Sequence, residues 1–167
     1  IARQQQLIVS IVVQSAIKEK SFDPLYANVA DLLCNSPNAQ FKSNFEEAFR
    51  IAYKNADEYV RKQIGILASL FAFLIQRYSV DWSCLDVVDV REDAMSPSKR
   101  IFLEDLLREL AAAMNFSNDD FIRTTEDRHV RSAQAIWRRL IERGDRVVIL
   151  SGKSREEFEA LGIDVIA

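Results

Sequence analysis

The sequence predicts an all-α fold of stacked antiparallel helical hairpins, and three observations carry that prediction. Glycine is nearly absent before residue 144: Gly65 stands alone there, and Gly144, Gly152 and Gly162 follow. The prolines, Pro24, Pro37 and Pro97, fall only at apparent helix starts or in a loop. Apolar residues recur at three- and four-residue steps along most of the chain. A long region that avoids both helix breakers and keeps this period favours helix throughout.

Taken in order, Leu7, Ile8, Ile11, Val12, Ser15 and Ala16 trace one face of a first helix. Phe22-Asp23-Pro24 reads as a stop and restart, with Asp23 as N-cap and Pro24 at the first helical position. Leu25, Val29, Leu32 and Leu33 give the second helix its apolar face, and Asn35 to Gln40 forms a loop. A third helix carries Phe41, Phe45, Ala48, Phe49 and Ala52. Ser43 and Glu46 have the spacing of a capping box at its start.

From Asp57 to Tyr78 the chain is apolar nearly all round, which places that helix in the centre of the domain. A short helix follows from Asp81 to about Val88, then the charged loop Asp89 to Met95. Ser96-Pro97 opens the next helix with a cap and an N1 proline. The face of that helix is Ile101, Phe102, Leu106, Leu107 and Leu110. A further helix is expected over Val130 to Glu142, ending at Gly144. Arg146 to Leu150 is strand-like in composition and Ser154 to Leu161 helical. The expected organisation is a helical domain over 1–143 and a C-terminal extension over 144–167, packed on it or partly extended. Helices of this length joined by short loops stack into a HEAT-like α-solenoid.

Composition narrows the function classes. The 167 residues are 49% hydrophobic and 28% charged, enough for one globular domain with a core that needs no metal or disulfide staple. The net charge of −3 and a pI near 5.3 disfavour a domain that holds nucleic acid mainly by its surface field. Cys34 and Cys84 lie in apolar segments without metal-ligand spacing and read as reduced core thiols. Ile64 to Ile75 is too short to cross a bilayer, so no membrane partner is expected. The chain begins at Ile1 and is read as a fragment of a longer protein.

No catalytic constellation emerges, and neither a cofactor nor a metal is expected. His129 is the single histidine, which leaves His-based triads and multi-histidine metal sites little to work with. Gly152-Lys153-Ser154 matches the end of a phosphate-binding loop, but Val147 stands where that motif requires glycine. The acidic pairs Glu46-Glu47, Glu92-Asp93 and Asp119-Asp120 read as carboxylates in loops or at helix starts. Trp82 reads as core. The basic stretch Arg138, Arg139, Arg143 and Arg146 is interrupted by Glu142 and Asp145, which makes RNA contact a secondary expectation. Ser96 reads as a cap rather than a phosphorylation site.

Several stretches resemble a known family. Ser21-Phe22-Asp23-Pro24-Leu25-Tyr26 with Leu32-Leu33-Cys34 is similar to the opening hairpin of an MA-three domain, the helical partner of the MIF-four-G domain. Phe45 to Phe49, Leu70 to Ile75, Asp81 to Leu85 and Ser96 to Leu103 are similar to further motifs of the Cwc-twenty-two-type pre-mRNA splicing factors. The resemblance covers about residues 10 to 115 and fades beyond Asn118. Phe73 stands where the family usually has histidine. A nucleolar ribosome-biogenesis scaffold with the same domain pair, and translation regulators that bind the initiation helicase four-A, are rival relatives.

The resemblance implies a nuclear, non-enzymatic scaffold module that docks onto spliceosomal proteins in support of splicing and exon junction complex assembly. A DEAD-box helicase would be held through a neighbouring domain rather than by this one. The residues expected to meet a protein partner are Asp89, Arg91, Glu92 and Asp93 of the charged loop and the Lys99-Arg100 edge.

Overall fold

A computed structural model describes residues 2–89 and 94–113 of the chain. Among the described residues the fold is all-helical, without a strand. Five α-helices follow one another: α1 (Ala2–Lys18), α2 (Pro24–Cys34), α3 (Gln40–Lys54), α4 (Arg61–Gln76) and α5 (Pro97–Ala113). Two 3₁₀ segments, Ala56–Glu58 and Trp82–Val87, lie before and after α4. The expected helix over 130–142, the strand-like stretch at 146–150 and the helical segment at 154–161 lie outside the described residues.

The local signals at α2 and α5 act as the sequence predicts. The Asp23 carboxylate accepts a hydrogen bond from the Leu25 amide at 2.9 Å, and Pro24 opens α2. The Ser96 hydroxyl accepts from the Lys99 amide at 3.2 Å, and Pro97 opens α5. Each cap satisfies an amide that the helix itself leaves without a partner.

At α3 and α4 the boundaries differ from expectation. Ser43 sits inside α3 and is exposed, so it caps nothing. The start is instead turned by Asn38, whose side-chain oxygen accepts from the Gln40 amide at 3.1 Å. Glu46, inside α3, accepts instead from the Asp81 amide at 3.4 Å, steadying the entry to the 3₁₀ segment Trp82–Val87. The expected helix over Asp57 to Tyr78 is broken. A 3₁₀ turn ends at Glu58, and α4 begins at Arg61 with Val60 extended before it. There the Gln63 side chain reaches back to accept from the Val60 amide at 3.1 Å.

The C-terminus of α4 closes on Tyr78 in the left-handed region, with φ 58°. The Ser79 amide donates to the Leu74 carbonyl at 3.0 Å, the six-to-one bond of a Schellman motif. Glycine normally fills this position, and a tyrosine there costs on the order of 1 kcal/mol in backbone strain. Half-burial of the ring against the core offsets that strain.

α4 is central, as its all-round apolar composition predicts. It packs on α1, α2 and most extensively on α5. Leu67, Leu70, Phe71, Leu74 and Ile75 are fully buried, each contributing about 1.5–3 kcal/mol. Around it Phe49, Tyr53, Phe71 and Phe102 form an aromatic cluster with centroids 5.3–6.3 Å apart. α4 and α5 run in the same sense. Ser69 donates to Glu109 at 2.5 Å, and Arg61 and Gly65 lie against Asp105 one turn earlier. These two successive helices are therefore not themselves an antiparallel hairpin.

Two faces read from periodicity are turned relative to the core. On α1, Leu7 and Ile11 are more than half exposed, and the buried set is Val9, Val12, Val13, Ala16 and Ile17. On α2, Leu25 and Leu32 are exposed while Ala27, Ala30 and Cys34 are buried. The small side chains let α2 lie close to α3 and α4, so close approach displaces the larger leucines outward.

Candidate protein-binding surface

The edge singled out by sequence begins where the 3₁₀ segment Trp82–Val87 leads into Asp89 and resumes at the first turn of α5. Trp82, Cys84 and Leu85 are buried and anchor that segment. The Asp81 carboxylate caps it by accepting from the Ser83 amide at 2.8 Å. Arg50 of α3 reaches Asp86 at 3.2 Å and fixes the segment's outer side.

Tyr53 is the point on which the edge converges. Its hydroxyl donates to the Met95 sulfur at 3.6 Å, and the Lys99 ammonium lies 5.9 Å from its ring centroid, within cation–π range. Burial pushes the Tyr53 phenol above its ordinary pKa, and the negative charge of Asp89 adds to that rise. Lys99 thus lies against a buried aromatic ring whose hydroxyl feels the charge of Asp89. Arg100 is exposed on the first turn of α5, its amide bonded to the Ser96 carbonyl at 2.9 Å. Arg91, Glu92 and Asp93 lie outside the described residues, so three of the six expected contacts are placed and three are not.

The remaining candidates divide in the same way. Trp82 is 1% exposed and belongs to the core. Glu46 and Glu47 sit within α3, not at a helix start or in a loop. Desolvation raises the Glu46 pKa, opposed by the hydrogen bond from the Asp81 amide. Among the described residues, no cluster of three or more histidine, cysteine or acidic side chains has metal-binding geometry. None of the described helices is long and apolar enough to cross a membrane. His129, Asp119-Asp120, the basic stretch at 138–146 and Gly152-Lys153-Ser154 lie outside the described residues. Phe73, where the resembling family has histidine, is half-buried, and the Arg77 guanidinium stacks 5.3 Å from its ring centroid.

Both described cysteines are free and buried. Burial pushes the Cys34 thiol up to about 12, with Asp31 and Glu46 adding to the rise, and burial likewise raises Cys84. A thiol whose folded pKa lies above its unfolded value contributes stability that is complete below pH 9. That contribution is lost as pH climbs toward 12, because the unfolded chain ionises first. The urea midpoint is therefore expected to fall steadily from about pH 9 upward, and a Cys34→Ala/Cys84→Ala protein to show a shallower slope. A wild-type midpoint that holds level to pH 11 would contradict this.

Sequence comparison finds two kinds of relative. The pre-mRNA-splicing factor CWC22 of Yarrowia lipolytica is 27% identical over 108 residues, covering 65% of this chain and 11% of that protein. The pre-mRNA-splicing factor cwf22 of Schizosaccharomyces pombe is 24% identical over 115 residues, covering 69% of this chain and 13% of that protein. Residues 90–156 match a different family, the class I tRNA synthetases (M). The methionine–tRNA ligase of Rickettsia prowazekii is 54% identical over 37 residues, 22% of this chain and 7% of the ligase. The chain thus spans only a small part of each relative, and over about two thirds of its own length it is similar to CWC22-type splicing factors.

Proposed function

We propose that the helical body is a non-enzymatic protein-binding module of a pre-mRNA splicing factor of the CWC22 type, MA-three-like in architecture and acting in the nucleus. The observation that carries the reading is the similarity to CWC22 proteins from several organisms over roughly the same share of the chain. An all-helical body with a buried aromatic centre suits a rigid scaffold, because function then rests on exposed edges held by packed helices. The partners are spliceosomal proteins, met through Asp89, Arg91, Glu92, Asp93, Lys99 and Arg100. Support for exon junction complex assembly, with a DEAD-box helicase held by a neighbouring domain, extends this reading.

The test is affinity capture from nuclear extract with the chain and an Arg91→Glu/Arg100→Glu variant side by side. Spliceosomal proteins are expected on the parent chain and to be reduced about tenfold on the variant, with its melting temperature unchanged. Equal retention by both would reject the surface. Pre-ribosomal proteins would transfer the module to a ribosome-biogenesis scaffold, and the initiation helicase four-A alone to a translation regulator.

The match at residues 90–156 favours a second reading, in which this part of the chain is a methionine–tRNA ligase-like segment joined to the splicing-factor-like body. Methionine-dependent exchange of pyrophosphate into ATP tests for ligase chemistry. Exchange above background would replace the non-enzymatic reading.

A further inference from the structure

Away from the Asp89–Arg100 edge, the α1–α2 loop, the first half of α4 and the second half of α5 border an open cleft of about 370 Å³. Its charge runs against that of the molecule. Lys20, Arg61, Lys62 and Arg108 line it, opposed by Asp105 and Glu109, in a chain whose net charge is −3.

The two acidic groups are already engaged. Arg61 grips Asp105 with both terminal nitrogens, at 2.7 and 3.2 Å, and Arg108 reaches the same carboxylate at 3.4 Å. Glu109 accepts from the Ser69 hydroxyl at 2.5 Å. Lys20 and Lys62 are exposed, and neither forms an ion pair with another described residue. The apolar side chains in the lining are Phe22, which is half-buried, and Ile66, which is buried. Gly65 lets the Arg61–Asp105 pair lie close against α4, for a Cβ there would stand 3.3 Å from the Arg61 guanidinium.

We infer that this cleft is a second docking site, and that its occupant is an acidic segment of a protein partner carrying an apolar anchor residue. Lys20 and Lys62, without an ion pair among the described residues, complement carboxylates on the segment, and Phe22 takes the anchor side chain. Complementary charge around an apolar centre is the usual layout of such contacts. A nucleic-acid strand fits less well, because Asp105 and Glu109 set negative charge beside its phosphates and the apolar wall offers them nothing.

The test uses the full chain and a short fluorescein-labelled peptide in which aspartate and glutamate flank a central phenylalanine and leucine. Fluorescence anisotropy is expected to show saturable binding that weakens about tenfold or more in Lys20→Glu/Lys62→Glu. The Arg91→Glu/Arg100→Glu variant is expected to bind as the parent does, which separates this site from the proposed splicing-partner edge. Equal binding of the amide counterpart, built from asparagine and glutamine, would overturn the proposal. Unchanged affinity in the lysine variant, or binding of oligouridylate in place of the peptide, would do the same. Should the lysine variant fail to fold, the Gly65 and Ser69 amide resonances of the parent chain decide: a shift on peptide addition supports the site, and none rejects it.

Discussion

Replacing Phe49 with alanine is expected to lower the unfolding free energy by about 3–5 kcal/mol, the range for truncating a fully buried aromatic residue. Phe49 stands at the junction of α3, α4 and α5. Its ring meets Phe71 at 5.3 Å and Phe102 at 5.8 Å edge-on, and lies stacked 6.3 Å from Tyr53. None of its surface reaches solvent. Truncation removes the transfer free energy of the ring and leaves a void bounded by other rings, which cannot collapse into it without breaking their own packing. At 4–8 °C per kcal/mol for a domain near 100 residues, the melting temperature should drop by more than 10 °C. A Phe49→Ala/Phe102→Ala double-mutant cycle should show a coupling of roughly 0.5–1.5 kcal/mol, since both rings share one contact. A loss below about 1 kcal/mol for the single variant would mean that α3 does not seat on α4 and α5 as described.

Replacing Asp31 with alanine is the second large effect, about 2–3 kcal/mol, and it is electrostatic in origin. Asp31 gathers the C-terminal ends of α2 and α4. Its carboxylate accepts from the Ser79 hydroxyl, from the Asn35 side-chain amide at 3.0 Å and from Arg77 at 3.2 Å. Asn35 also donates to the Ser79 oxygen at 3.2 Å. Ser79 is 2% exposed, so removing its acceptor strands a hydroxyl where water cannot replace the bond. The largest part of the cost should therefore survive high salt, which screens only the exposed Arg77 contribution. Asp31→Asn keeps an acceptor for Ser79 and should recover more than half of the loss. Denaturant titration at low and high salt checks all three statements, and a loss that disappears in salt would assign the effect to Arg77 alone.

The origin of each effect shows what the sequence could disclose. The importance of Phe49 was legible, because Phe41, Phe45, Phe49 and Ala52 recur at helical spacing and announce a buried face. The role of Asp31 was not. A lone aspartate late in a helix gives no local signal, and its partners Arg77 and Ser79 become neighbours only when α2 and α4 pack. The candidate surface divides similarly. The Ser96-Pro97 start of α5 is a short-range cap and was read correctly. The approach of Lys99 and Met95 to Tyr53 depends on α3 meeting the start of α5, which no periodicity describes.

The sequence by itself determined the helical class, the caps at Asp23 and Ser96, the central position of α4 and the burial of Trp82, Cys34 and Cys84. These follow from breaker placement, cap chemistry and hydrophobic content, all acting within a few residues of one another. Tertiary structure alone decided which face of α1 and α2 turns inward, where α3 and α4 begin and end, and the parallel course of α4 and α5. Close approach through Ala27 and Ala30 outweighs the larger hydrophobicity of Leu25 and Leu32, because packing area depends on what a helix meets. Tyr78 accepts a left-handed backbone because its ring is held against the core. The cationic cleft, likewise, exists only once Lys20, Lys62 and Arg108 are brought from three separate elements to one opening.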